Sequence, residues 1–595
     1  MRISDLSIEN FRGIRRGTVR FKTHTIITGP NNAGKTTIIE ALALLVGRDR
    51  LVRELTEHDF TGADPQPADR LRLIATITGF DGNDPNAHLD WFRDGRAVPK
   101  WLDDTTGAVH PLRRNPDWLL CCQVGFQAYF DRAALCVESV RYFHDHDHPI
   151  DPFVEDVPVG VPAKLLQQVG FFLVRASRTW DGVLSFGSEL FRRTVRAADG
   201  QPAAAILTER DRLRHPDQPI EADPHLVPLV TRINAELARF LPRGPTLKLR
   251  VTGTDSRAVL DAVVAHFSPA GSPPIPAARQ GSGLLSLQGL LLLLQLGRAR
   301  ADAGEGFLMA LEEPELHVPP ASQRQLVHRV QALSTQTITT THAPAVAAAG
   351  DPTALLLIRN DNGILRAEPL LTEALPPTAP NWLRRFLQSG RPEVIAALMH
   401  EMVLIPEGRS DHELLRAILC AVMLRQGWTE DARRSFSLEV GLVPTEDAQV
   451  ATIYGLLSRL HGRVCCLVDG DPAGHDYVRI LLATAPRPSS ILRWPDGWAI
   501  ERVVGWVLEA DETNVVAALH HWPDPPVESA ADIVARLTAR KVDIVFYEAV
   551  GEAIADTPAC SARAQELFAG MAAACAGEPS LRFHTDALGV YVFQP

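Results

Sequence analysis

The chain has no CxxC pair among its eight cysteines, so a structural zinc site is not expected. Cys121-Cys122 and Cys465-Cys466 sit in apolar stretches and read as buried thiols of a reducing compartment. The opening MRISDLSIENFRG lacks the apolar core of a secretion signal. The longest apolar stretch, Leu284 to Leu296, is interrupted by Ser286, Gln288, Gly289 and Gln295. It is shorter than the roughly 20 residues a membrane span takes. It reads as a buried helix, and the protein as cytoplasmic with no membrane partner. An excess of positive charge is also missing: net charge is -11. Any nucleic acid would have to be held by a local basic groove or through metal ions, not by the overall field. Repeats, long heptad runs and low-complexity tails are absent.

What is present is an ordinary soluble composition, 46% hydrophobic and 22% charged, over 595 residues. That length holds roughly two to four domains. Strand patterns cover 3–9, 19–27, 71–80, 136–143 and 170–177, with a helix over 35–46. The region 81–120 reads as loops with short elements. From 187 to 240 the pattern turns helical and looks like an insertion. LKLRVTG (247–253) and AVLDAVVAHF (258–267) read as strands, 286–301 and 319–334 as helices, and 306–311 and 336–340 as short buried strands. ALPPTAPNW at 374–382 suggests a linker. From 402 onward, MVLIPEG, SFSLEVGLV, RVCCLVDGD and PSSILRW alternate with helical stretches, the pattern of a parallel sheet.

Two sets of residues carry chemistry. Gly29-Pro-Asn-Asn-Ala-Gly34-Lys35-Thr36 fits GxxxxGK[ST] between a strand and a helix. Its backbone N–H groups would cradle phosphates, with the helix N-terminus adding partial positive charge. Lys35 would reach the β- and γ-phosphates and Thr36 would ligate Mg²⁺. The apolar strand before Glu312-Glu313 delivers two acids of the kind ATP hydrolysis needs. Glu312 would hold the metal, and Glu313 would polarise the attacking water. The second set is Glu407-Gly408-x-x-Asp411 and Asp469-Gly470-Asp471, each after an apolar strand. Acids at the carboxyl ends of neighbouring parallel strands converge on one crevice. They repel one another unless cations neutralise them, and oxygen-only ligation suits Mg²⁺ or Mn²⁺. Such a set fits metal-assisted phosphoryl transfer.

In this order the first set resembles the ATP-binding-cassette ATPases of the SMC-like branch. ENFRG at 9–13 is similar to that branch's opening strand motif, Gln280-Gly-Ser-Gly283 to its signature loop, and His342 in TTTHAP to its switch histidine. The resemblance implies ATP held by Gly29, Asn32, Gly34, Lys35, Thr36 and Thr37. It also implies a head-to-tail dimer in which Ser282 and Gly283 of one subunit meet the γ-phosphate held by the other. The sequence departs from the pattern in having Glu-Glu for Asp-Glu, in its signature loop, and in PELHVPP. The glutamine loop is not placed, with Gln123 and Gln127 as candidates.

The second set resembles a Toprim domain. The two together are similar to the OLD (overcoming lysogenisation defect) family of ATP-dependent nucleases, which includes the nuclease subunit of the Gabija anti-phage system. The resemblance implies an α/β fold: an ABC-type P-loop ATPase with a helical insertion, followed by a parallel-sheet Toprim domain. The ATPase would take 1–186 and 241–373, a dimerising insertion 187–240, a linker 374–398 and the Toprim domain 399–595. It implies a metal set of Glu407, Asp411, Asp469, Asp471 and Glu501, and a transition-state lysine, Lys541. The expected activity is ATP-regulated, Mg²⁺- or Mn²⁺-dependent DNA cleavage in defence against foreign DNA, by a homodimer or higher oligomer, with a separately encoded helicase or other defence partner. A DNA-binding ATPase that recruits an effector without cutting is the alternative, and a strand-passing or primer-making enzyme a third reading. His144-Asp-His-Asp-His148 reads as a solvated turn. Tyr454, Tyr477 and Tyr547 read as packing residues, not nucleophiles.

Overall fold

A computed structural model of the chain describes all residues except 48–53, 94–95, 146–147, 149, 156–159, 177–202, 241–243, 264–265, 269–272, 317, 426–434, 447–448, 521 and 523–525. The first part of the expected insertion, His317, and the middle of the His144–His148 run therefore lie outside the described residues. The chain divides into two compact units. One is made chiefly of residues 162–337, the other of 3–45, 52–161 and 338–595.

In the first unit the strand Leu308–Glu312 runs parallel to Phe171–Val174. The leucine-rich stretch is helical, as expected, within Ser282–Asp302. Leu290, Leu293 and Leu294 pack with Phe307, Met309, Leu311 and Val330 into this unit's core. Full burial of each such side chain contributes about 1.5–3 kcal/mol. Leu284, Leu287 and Leu291 lie on the same helix but are exposed, so only one face is buried. Two strand expectations are corrected. Residues 247–253 form no strand, and AVLDAVVAHF is mostly the helix Ser256–Ala262 followed by the short strand His266–Phe267. The Asp255 carboxylate accepts the Ala258 N–H at 3.0 Å, and this local cap starts a helix where alternation alone suggested a strand.

The second unit holds two sheets. The larger runs in the order Val109–His110, Lys100–Leu102, Leu119–Asp131, Leu71–Thr78, Arg2–Phe11, Ile14–Arg20, Ile364–Pro369, Leu355–Asp361, His24–Thr28, Gln336–Thr340. Leu71, Leu73, Ala75 and Ile77 alternate inward along one of its strands and are fully buried, the period-two pattern of a pleated ribbon. The expected strand over 19–27 is two strands, because the first of them folds back as a hairpin pairing Phe11 with Ile14. The smaller sheet runs Val440–Leu442, Met402–Ile405, Val464–Val468, Ser490–Arg493, Tyr591–Phe593, Phe583–Thr585. Its first five strands are parallel and the last is antiparallel. SFSLEVGLV gives a short helix, Phe436–Glu439, before its strand. The expected linker at 374–398 is a packed element: helices Asn381–Leu387 and Arg391–Leu398 bury Leu387, Val394 and Ile395 completely. Its Pro380 is an N-cap and Pro392 lies in a first helical turn, where a missing N–H costs little. Among the described residues, no helix is long and apolar enough to cross a membrane.

Candidate functional site

The phosphate loop is built by backbone strain that only its own sequence tolerates. Gly29 has φ 154° and Gly34 φ 103°, and a Cβ on Gly29 would stand 2.3 Å from the Ile358 carbonyl oxygen. Asn32, exposed between them, also sits in the left-handed region at φ 61°, which asparagine adopts more readily than most residues. The helix Lys35–Val46 follows directly. The Lys35 ammonium is buried and donates to the carbonyl oxygens of Gly29 and Pro30, at 2.7 and 2.8 Å. The lysine thus folds over its own loop, where phosphate oxygens would compete for it. Thr36 is exposed at the helix start, and Thr37 is buried behind it. Thr341 ties the next motif to the same place: its N–H donates to Ile27 O at 3.1 Å, and its carbonyl accepts from the Thr28 hydroxyl at 3.2 Å. His342, the next residue, is exposed at that end of the strand.

In the first unit, Glu312 closes its strand buried, with Oε2 accepting the Ala176 N–H at 3.3 Å. Glu313 follows at φ 45° and turns the chain. Ser282 and Gly283 begin the helix Ser282–Asp302, whose N-cap is Gly281. Of the two glutamines considered for the nucleotide loop, Gln127 is fully buried between Arg72 and Asp151, and Gln123 pairs with Lys100 and Thr76. Both serve the sheet.

The acidic residues converge at the carboxyl ends of the smaller sheet. Glu407 and Asp469 follow the neighbouring parallel strands Met402–Ile405 and Val464–Val468. The Asp469 N–H donates to Glu407 Oε2 at 2.8 Å. Asp411 lies in the first turn of the helix Arg409–Arg425, and Glu501 in the first turn of Ile500–Leu508; both are buried. Asp471 is exposed and caps the helix Pro472–Ala483 through a 2.7 Å bond from Gly474 N–H. Gly470 between the two aspartates is required, since a Cβ there would stand 1.8 Å from the Pro495 carbonyl oxygen. Lys541 is exposed on the turn before the helix Ile544–Asp556.

Electrostatics reports how near these groups are. Burial, then the charges of Glu407 and Glu501, push the Asp411 carboxyl well above the usual range, and Lys541 opposes that. Burial, then Asp411, Glu407, Asp471 and Glu501, push Asp469 up further. Among the described residues, no three His, Cys, Asp or Glu side chains stand together in a ready ligand cluster. Glu407 and Asp471 each turn an oxygen to a backbone amide, while Asp411 Oδ1 and Asp469 Oδ1 are buried without a hydrogen-bond partner. Buried carboxylate oxygens lacking donors are costly. A hard divalent cation supplies the missing positive charge, so the donor set fits Mg²⁺ or Mn²⁺. Two tyrosines set aside in the sequence also border this crevice. Tyr477 feels Glu407 and Asp471, and Tyr547 feels Glu501 and Asp411. Tyr454 is buried away from the acids, donating to Pro486 O at 2.7 Å. No sequence pattern marks Tyr547 beyond its place four residues after the helix-capping Asp543.

Residues 1–78 match the family model described as "AAA ATPase domain". Residues 168–348 match the one described as "AAA domain, putative AbiEii toxin, Type IV TA system". Neither reaches half of the chain. No curated protein matches. Solved structures that match include an SMC head bound to the C-winged helix domain of ScpA, at 13% identity and TM-score 0.34, covering 62% of this chain and 97% of that one. Others are the SMC head domain from Thermotoga maritima, at 15% and 0.27, covering 62% and 99%, and a Pyrococcus furiosus Smc head domain with an extended coiled coil bound to the C-terminal domain of ScpA, at 11% and 0.32, covering 61% and 95%. Likeness at that level implies nothing about activity. The phosphate loop lies within the first of these two matches, and both matched models describe AAA-type domains, the first named as an ATPase.

Proposed function

We propose that the protein is an ATP-regulated, divalent-metal-dependent DNA endonuclease of the OLD kind, acting against foreign DNA, with residues 399–595 as its Toprim domain. The convergence of Glu407 and Glu501 on Asp411, and of Asp411, Glu407, Asp471 and Glu501 on Asp469, whose carboxyl pKa values they raise after burial, together with the Asp469 N–H bond to Glu407, carries this reading. Asp469, Asp471 and Glu407 would hold the main cation, with Asp411 beside it and Glu501 toward a second. A divalent cation bound there supplies charge neutralisation at the phosphodiester and an activated water. Lys541 steadies the negative charge that develops on the phosphate as the bond breaks. In a chain of net charge -11, cations bound among the acids, together with Lys541, would offset the repulsion between the crevice and the phosphodiester. In the ATPase half, Lys35 and Thr36 would hold the phosphates and Mg²⁺ of ATP. A homodimer and a separately encoded defence partner belong to the same reading.

Purified protein should nick or linearise supercoiled plasmid with Mg²⁺ or Mn²⁺, and Glu407→Ala should lower that rate by about a hundred-fold or more. Intact plasmid under every nucleotide condition rejects the nuclease. The absence of a ready three-donor cluster among the described residues favours the rival, an ATPase that binds DNA and recruits an effector. That rival predicts ATP-dependent retention of DNA without strand breaks.

A further inference from the structure

The lysine-bearing turn is held in a conformation its own sequence resists. Val542, directly after Lys541, has φ 63°, a left-handed backbone that a β-branched residue rarely adopts. The Val542 N–H donates to the Tyr547 hydroxyl at 2.9 Å. Tyr547 is fully buried on the helix Ile544–Asp556. Burial raises the pKa of this phenol, and Ser410, the residue before Asp411, is among the groups that oppose the rise. Ser410 is itself buried in the first turn of Arg409–Arg425. That helix packs along Ile544–Asp556 so closely that a Cβ on Gly551 would stand 2.9 Å from the Ala417 carbonyl oxygen. One phenol oxygen therefore ties the turn that carries Lys541 to a helix packed along the one that carries Asp411.

We propose that Tyr547 is a positioning residue of the phosphodiester site, whose hydroxyl fixes Lys541 against the acidic crevice. This rests on the nuclease reading. Its burial excludes it as a nucleophile toward DNA, and its function is exerted through Lys541. The hydroxyl does this by satisfying the Val542 N–H in the left-handed turn from which the Lys541 charge acts on Asp411. Without that acceptor, the turn is free to relax to negative φ and carry the ammonium away.

Tyr547→Phe removes only the oxygen and keeps the buried ring, so the fold is expected to survive, as thermal melting would show. Plasmid nicking by Tyr547→Phe should lose about ten-fold in kcat with KM for plasmid unchanged. Adding Tyr547→Phe to Lys541→Ala should cost nothing beyond Lys541→Ala alone. Trypsin should cut at Arg540-Lys541 severalfold faster in Tyr547→Phe than in the wild type. Unchanged kcat, additive losses in the double variant, or unchanged trypsin cutting each overturn the positioning role. Wild-type protein that leaves plasmid intact overturns the nuclease reading and this role with it, whereas nicking by wild type with any of the three contrary results overturns this role alone.

Discussion

At the scale of single residues, burial and pairing oppose each other most clearly at Asp5. It lies opposite Arg20 across the first hairpin, with the Arg20 Nε 3.3 Å from its carboxylate. Burial nevertheless raises its pKa to about 6, Arg20 opposing and Asp104 adding to the rise. A carboxyl that is harder to ionise folded than unfolded keeps its proton in the folded state between pH 3.8 and about 6. Across that window the folded state binds more protons, so its stability falls as pH rises and stays lower above it. Asp5→Asn keeps an acceptor for Arg20 and removes the penalty. It should raise the thermal midpoint at pH 8, by the equivalent of about 3 kcal/mol at most, and leave it almost unchanged at pH 4. Melting curves at the two pH values check this; equal shifts at both would show that shape, not charge, decides the effect.

Elements are where close backbone approach sets the rules. A helical glycine ordinarily gives up about 1 kcal/mol relative to alanine, so Gly→Ala on a helix should stabilise when space allows. Gly455, on the helix Val450–Leu457, has nothing within 4 Å of a Cβ. Gly455→Ala should raise stability by about 0.5–1 kcal/mol. A Cβ on Gly551 would stand 2.9 Å from the Ala417 carbonyl oxygen, which cannot rotate away. Gly551→Ala should lower stability by about 1–3 kcal/mol. Denaturant midpoints of opposite sign test both, and two gains would mean the helix pair separates freely. The same contrast explains what could be read in advance. The phosphate loop and the two acid motifs were legible because each fixes local geometry: glycines at strained turns, acids at the ends of apolar strands. Glu501 and Lys541 carry no such local mark, and only the family resemblance pointed to them. The helix at 256–262 and the packed helices at 381–398 were misread, since an Asp255 cap and prolines at helix starts look like strand and linker when contacts are unknown.

Across the whole molecule, the proposed function puts two chemistries on one chain, and each candidate site has its own charge arrangement. The phosphate loop keeps its cation, Lys35, folded onto the Gly29 and Pro30 carbonyls. The acidic crevice has Lys541 acting against a surplus of carboxylates. On that proposal a nucleotide's phosphates would draw on the first cation and a bound metal would neutralise the second set, so each site could be disabled without touching the other's chemistry. Lys35→Ala should abolish ATP hydrolysis while the nucleotide-free nicking rate stays at the wild-type level. Glu407→Ala should abolish nicking and leave ATP hydrolysis intact. The regulatory link is then read from Lys35→Ala alone: whatever ATP does to the wild-type nicking rate, faster or slower, should vanish. If ATP still changes nicking in Lys35→Ala, the nucleotide acts elsewhere, by binding metal or by occupying the crevice, and the ATPase is not the regulator. If Lys35→Ala loses nicking without any nucleotide present, the loop supports the fold of the crevice and the two sites are not separable.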